Sequence, residues 1–139
     1  MSVIDPYSQY MDIHVKTASP GKLLIMAHDA AIRFGRAAQE KMRERKLDEQ
    51  SANIRKMQNI LVELISSLDP KADRQLAANL DSLYTYMFDR LTHANIRDDE
   101  RALEEVIGIF AELRSTWAEA DMTARAGSQT SNQRGVKAA

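Results

Sequence analysis

Apolar residues recur along the chain at spacings of three and four, the period of a helix laid against a core. They do so in four stretches separated by turn signals. The first opens at Ser19-Pro20. Ser19 suits an N-cap, and Pro20 suits the first helical position, where a missing N–H costs nothing. Its apolar face is Leu23, Leu24, Ala27, Ala30, Ala31, Phe34, Ala37, Ala38 and Met42, fading in the charged stretch 41–46. The many small side chains let a neighbouring helix approach closely. The second stretch covers about 48–68, with Ile54, Met57, Leu61, Leu64, Ile65 and Leu68 in its stripe, and Asp69-Pro70 stops it because proline disfavours helix in the residue before it. The third covers about 72–94, with Leu76, Leu80, Leu83, Tyr84, Met87 and Leu91, and Asn95 suits a left-handed C-terminal position. The fourth starts near Asp98, an N-cap candidate, and carries Leu103, Val106, Phe110, Leu113 and Trp117 on the way to about Met122.

Four amphipathic helices joined by short links make antiparallel neighbours. The expected fold class is all-α, an up-down-up-down four-helix bundle over 19–123. The N-terminal arm, 1–18, carries Tyr7, Tyr10, Met11, Ile13 and Val15. It is too short to hold a helix alone but has apolar surface with which to dock. The composition changes at Ala124 to Gly, Ser, Gln, Thr and Asn, with Arg125, Arg134 and Lys137 as the only charges. The sequence predicts a flexible tail over 124–139, serving either solubility or a weak acidic contact.

Composition changes this picture little. The 139 residues, 44 % hydrophobic and 28 % charged, suit one globular domain with one core. With 5 Gly and 3 Pro, the many turns of an all-β fold are unavailable. There is no cysteine, hence no disulfide or thiolate metal site. Nineteen basic and 20 acidic residues leave a net charge of -1, so nothing attracts phosphate and no nucleic-acid partner is expected. The longest wholly apolar run, 23–27, is far short of the ~20 residues of a membrane span, so no membrane insertion is expected. No basic segment followed by an apolar one marks a signal peptide at the start. The expected compartment is the cytoplasm.

Catalytic and cofactor chemistry finds no support. A di-iron bundle needs Glu-x-x-His, but the residues three before His14, His28 and His93 are Met11, Ile25 and Arg90. No two histidines share a helix at metal-binding spacing, and no pocket is marked for a haem held by His and Met. His28 has Asp29 beside it and reads as a structural histidine, partly buried or at the surface, rather than a phosphotransfer residue. There is no Gly-rich phosphate loop and no nucleophile elbow. The expectation is no enzyme, no cofactor and no metal.

Apolar surface is left over once each helix has its stripe. At 100° per residue, Ile25 and Ile32 fall on the back of the first helix, with His28 and Gly35 beside them. Either the N-terminal arm covers this second stripe or a partner helix lies there. Tyr86 points away from Leu80 and Met87, and Phe88 sits at the edge of its stripe; Ile60 and Ile109 also lie at stripe edges. Surplus apolar surface without catalytic groups points to recognition of a protein segment, with helix-in-groove the natural mode.

The segment Thr17-Ala18-Ser19-Pro20-Gly21-Lys22-Leu23-Leu24-Ile25-Met26, preceded by Tyr7 and Tyr10, resembles the start of the flagellar secretion chaperone (FliS) family. Further matches follow in order: Gln58-Asn59-Ile60-Leu61 with Glu63-Leu64, Leu83-Tyr84 with Tyr86-Met87, Arg90-Leu91, Ala94-Asn95-Ile96, then Leu103, Glu105-Val106 and Trp117. The chain departs from the family's pattern at Ala27-His28-Asp29-Ala30, where members often carry Leu-Tyr-Asp/Asn-Gly. The resemblance implies a bundle with the arm packed on it. It also implies binding of the C-terminal region of unpolymerised flagellin and delivery to the flagellar export gate. Ile25, Ile32, Tyr86 and Phe88 are the expected groove surface, with Tyr7 and Tyr10 in an arm that competes for it. The alternative is a helical adaptor or regulator for a different secretion partner.

Overall fold

The computed structural model describes the backbone of residues 20–138 and the side chains of residues 20–127. Ser19 and the arm with Tyr7 and Tyr10 lie outside the described residues. Among those described, the chain forms four helices and no strand: α1 Pro20–Arg43, α2 Leu47–Ser66, α3 Arg74–Arg97 and α4 Glu100–Ala138. The four-helix bundle expected from the stripes is what forms. α1 neighbours α2 and α4, α3 neighbours the same two, and α1 and α3 therefore stand on a diagonal.

α1 is the pinched element. Ala30, Ala31, Gly35 and Ala38 are all buried, which lets α2 and α4 close on it. A Cβ placed on Gly35 would stand 2.6 Å from Ile107 Cγ1 on α4 and 3.0 Å from Met57 Cε on α2. The wider side chains of the core, Ile54, Leu61, Met87, Leu91, Leu103 and Phe110, come from the other three helices. His28 and Gly35, expected on the back of α1 beside Ile25 and Ile32, instead face inward and are buried. Small residues fill the closest approach, so the buried face of α1 is turned relative to a reading weighted by Leu23 and Phe34.

Charged side chains stitch the rims. Arg36 and Gln39 both donate to Glu104, and Arg43 donates to Glu100. Farther along the same seam Arg114 Nε lies 2.9 Å from Asp29 Oδ1. These pairs are largely exposed and set register more than stability. α2 and α3 are joined by amides: Gln50 Nε2 donates to Asn95 Oδ1 at 3.2 Å and Asp98 Oδ1 at 2.9 Å, and Gln58 Nε2 to Thr92 Oγ1 at 2.9 Å.

The helix ends differ in detail from expectation. The left-handed residue after α3 is Asp98 (φ 51°), not Asn95. Asn95 is helical because its side chain is already held by Gln50 and Ser51. The N-cap of α4 is accordingly Asp99, whose Oδ1 accepts from Ala102 N at 3.1 Å. α1 ends in a Schellman motif: Lys46 N–H donates to Lys41 O at 2.9 Å and Arg45 N–H to Met42 O at 3.2 Å, with Arg45 at φ 59°. A left-handed non-glycine costs about 1–2 kcal/mol, and glycine returns up to about 1 kcal/mol of that as chain entropy. Arg45→Gly should therefore raise stability by about 0.5 kcal/mol, read as a higher melting temperature.

α4 stays helical to Ala138, past the point near Met122 where its end was expected. The extension contains no proline, and its Ala, Arg, Gln and Lys residues favour helix. Core support stops earlier: residues 122–127 are all exposed.

Candidate functional site

The helices do not close evenly. Where α2 turns into α3, a cleft of about 240 Å³ opens between all four helices. Its walls are Leu24 of α1, Leu64 and Leu68 at the end of α2, Leu76, Ala77, Leu80 and Tyr84 of α3, and Trp117 of α4. The local sequence builds it. Asp69-Pro70 ends α2, and Asp73 caps α3 by accepting Leu76 N–H at 3.0 Å. From there Leu76, Leu80 and Tyr84 recur at four-residue spacing and project into one groove. Leu68 and Ala77 also border a second depression of about 290 Å³ with Ile65, Pro70 and Ala78, so the apolar surface continues around the start of α3. Leu76, expected in the core, is 47 % exposed. Among the described residues nothing covers it, and it stands on the open wall of the cleft.

Beneath Leu24 and Trp117 lies His28, fully buried. Its Nδ1 is 2.8 Å from Leu24 O, and its ring meets Phe110 and Trp117 edge-on, at centroid distances of 5.7 and 6.5 Å. Burial pushes its pKa below the usual histidine range, against the opposing pull of the Leu24 carbonyl and Asp29. The sequence reading left it partly exposed or at the surface; it is a core residue.

None of the expected groove residues within the described part, Ile25, Ile32, Tyr86 and Phe88, lines the cleft. Ile25 and Ile32 are half-buried on α1, and Ile32 packs on the core. Phe88 is half-buried on the α2 side of α3, where its carbonyl accepts from Gln58 Nε2. Tyr86 is 45 % exposed on the α4 side, where its hydroxyl donates to Glu105, which also holds Arg90 at 3.0 Å. That bond pushes the phenol pKa up and, with Arg90, holds the Glu105 carboxyl below its usual range. Ile25 and Ile32 lie on α1 and Tyr86 and Phe88 on α3, the two helices that stand on a diagonal. The cleft residues were legible only as stripe members. Their signal was position, since Leu68 and Leu76 flank the Pro70 turn, where stripes run out of partners.

No group of three or more metal-ligating side chains gathers among the described residues. No described helix is long and apolar enough to cross a membrane.

Comparison with known proteins places this architecture. The family described as "Flagellar protein FliS" matches residues 3–124. The flagellar secretion chaperone FliS of Bacillus subtilis is 33 % identical over 125 residues, covering 90 % of this chain and 92 % of that protein. The Salmonella typhimurium chaperone of the same name is 32 % identical over 118 residues, covering 84 % and 87 %. That of Vibrio cholerae is 30 % identical over 107 residues, covering 77 % and 79 %. A helical bundle with an apolar cleft, matched along nearly its whole length, belongs to the FliS family of flagellar secretion chaperones.

Proposed function

We propose that the chain acts in the cytoplasm as an export chaperone, taking the C-terminal helical region of unpolymerised flagellin and delivering it to the flagellar export gate. The observation that carries this reading is the apolar cleft walled by Leu24, Leu64, Leu68, Leu76, Leu80 and Trp117 in a member of a flagellar chaperone family. An amphipathic segment is safe from premature assembly while its apolar face is buried, and the ordering it undergoes on binding keeps the complex releasable. A segment that starts in the cleft and wraps the bundle would reach Ile25 and Ile32 on α1 as well as Tyr86 and Phe88 on α3. Tyr7 and Tyr10, in the arm that leads into α1, belong to a competitor for that surface. The bundle over 19–123 is the binding unit, and 124–139 adds little.

Titration calorimetry with a synthetic peptide of the flagellin C-terminal region should show one-to-one binding at micromolar affinity or tighter, with a gain of helix by circular dichroism. Leu76→Asp should weaken it at least about tenfold. Because Leu76 is exposed, that variant should keep its melting temperature. Binding of a different export substrate in place of flagellin would favour the adaptor reading. Unaltered affinity in Leu76→Asp would move the site away from the cleft.

A further inference from the structure

His28 stands where α1, α4 and the cleft meet. A carbonyl can only accept, so the 2.8 Å contact with Leu24 O puts the proton of neutral His28 on Nδ1 and leaves Nε2 bare. Nε2 is buried and has no hydrogen-bond partner among the described residues. A second proton would have to go there. The other buried, unpartnered polar atom in this region is Trp117 Nε1, which is itself a donor and cannot receive it.

The charges around the ring do little to help. On α1, Asp29 favours the cation, but its carboxylate is engaged by Arg114 of α4 at 2.9 Å. Farther along α4, Asp121 is paired with Arg125 at 3.1 Å. From α3, burial pushes the Tyr84 phenol pKa up, so it stays neutral. From the α2–α3 link, Asp69 and Asp73 stand on the cleft rim with their carboxylates accepting Lys71 and Leu76 N–H at 2.9 and 3.0 Å. Two residues that touch His28, Leu24 through its carbonyl and Trp117 through its ring, also form cleft wall.

We propose that His28 is a proton-operated release element: its protonation weakens the hold on the segment seated in the cleft, and seating the segment drives that proton off. This rests on the cleft being the segment's seat. Filling the cleft covers Leu24 and Trp117 and removes the remaining water near the imidazole, so the neutral form is favoured more strongly in the complex than in the free chain. Linkage makes the effect reciprocal. The sign follows from the depressed pKa. Above the ordinary histidine value of 6.5 all states are neutral and neither stability nor affinity changes with pH. As the pH falls below it, the unfolded chain takes the proton first, then the free folded chain, and the complex last, so stability and affinity both decline.

The test measures affinity for the flagellin C-terminal peptide at about pH 7.5 and about pH 5.5, in the full chain and in His28→Asn, whose amide can still donate to Leu24 O. The wild-type chain should lose affinity by about two- to fivefold, the fall that one pKa unit between free and bound gives at a pH about one unit below 6.5, and the variant should stay flat. An equal decline in both overturns the proposal, as does a flat wild-type profile. The free chain supplies a second readout, because Trp117 is its one tryptophan. Its emission and the His28 ring resonances should titrate with a single shared midpoint below 6.5. Separate midpoints, or one at or above that value, overturn the proposal even if His28→Asn fails to fold. Absence of any binding at about pH 7.5 would instead sink the flagellin reading, with the His28–Trp117 coupling still decided on the free chain.

Discussion

Phe110→Ala should destabilise the bundle by about 3–5 kcal/mol, the largest single loss expected from a core truncation here. Phe110 is fully buried on α4, and its ring lies edge-on to His28 at 5.7 Å. The truncation removes buried apolar area and leaves a hole that the rigid α1–α4 contact cannot close. For a chain of this size the loss corresponds to a fall in melting temperature of about 10–20 °C, measured by circular dichroism at neutral pH. A second effect separates this site from any other core cavity. Water admitted beside His28 relieves the desolvation that depresses its pKa, so the His28 resonances of the variant should titrate closer to 6.5. Leu91→Ala, equally buried but on α3, which supplies neither the hydrogen bond nor the ring contacts of His28, should lose stability without that change.

Gly35→Val should cost about 3 kcal/mol, and Gly35→Ala about 1 kcal/mol net. Two effects oppose each other in the alanine variant. Helix propensity favours alanine over glycine by about 1 kcal/mol. Against it, the new Cβ would stand 2.6 and 2.9 Å from two carbons of Ile107 and 3.0 Å from Met57 Cε. Ile107 and Met57 are fully buried, so neither can swing away, and overpacking of this kind costs about 1–3 kcal/mol. Valine adds methyl groups into the same space. A double-mutant cycle identifies the cause: in an Ile107→Ala background, Gly35→Ala should be neutral or stabilising. A penalty that persists there would place the clash elsewhere.

How far the sequence spoke depended on the scale of the question. The apolar period and the Asp69-Pro70 break located all four helices, and the small side chains of α1 foretold its close packing. Direction around a helix was harder. A ruler of 100° per residue weights large side chains, yet Gly35 and His28 occupy the buried face because the closest helix approach admits only small or flat groups. Asn95 and Asp98 are both tolerant of left-handed backbone, and both side chains are held by Gln50, some 45 residues from Asn95 in sequence, a contact that local pattern does not reveal. The cleft was the least legible feature. Leu24, Leu76, Leu80 and Trp117 carry the same pattern whether a stripe is covered or left open. What distinguishes the two is how closely helices far apart in the chain pack at that point.

The side-chain hydrogen bonding of α2 to α3 is one-sided. Their hydrogen bonds among the described residues run from Gln50, Ser51 and Gln58 to Phe88, Thr92, Asn95 and Asp98. At the opposite end, around Leu64, Leu68, Leu76 and Leu80, residues 67–73 link the two helices and the facing side chains are apolar. Apolar contacts are non-directional and tolerate sliding, whereas the amide clasp demands fixed geometry. The pair is thus held at both ends by different means, side-chain hydrogen bonds at the Gln50 end and the chain itself at the cleft. Register is fixed at the first, and adjustment at the second is left to apolar side chains and the link.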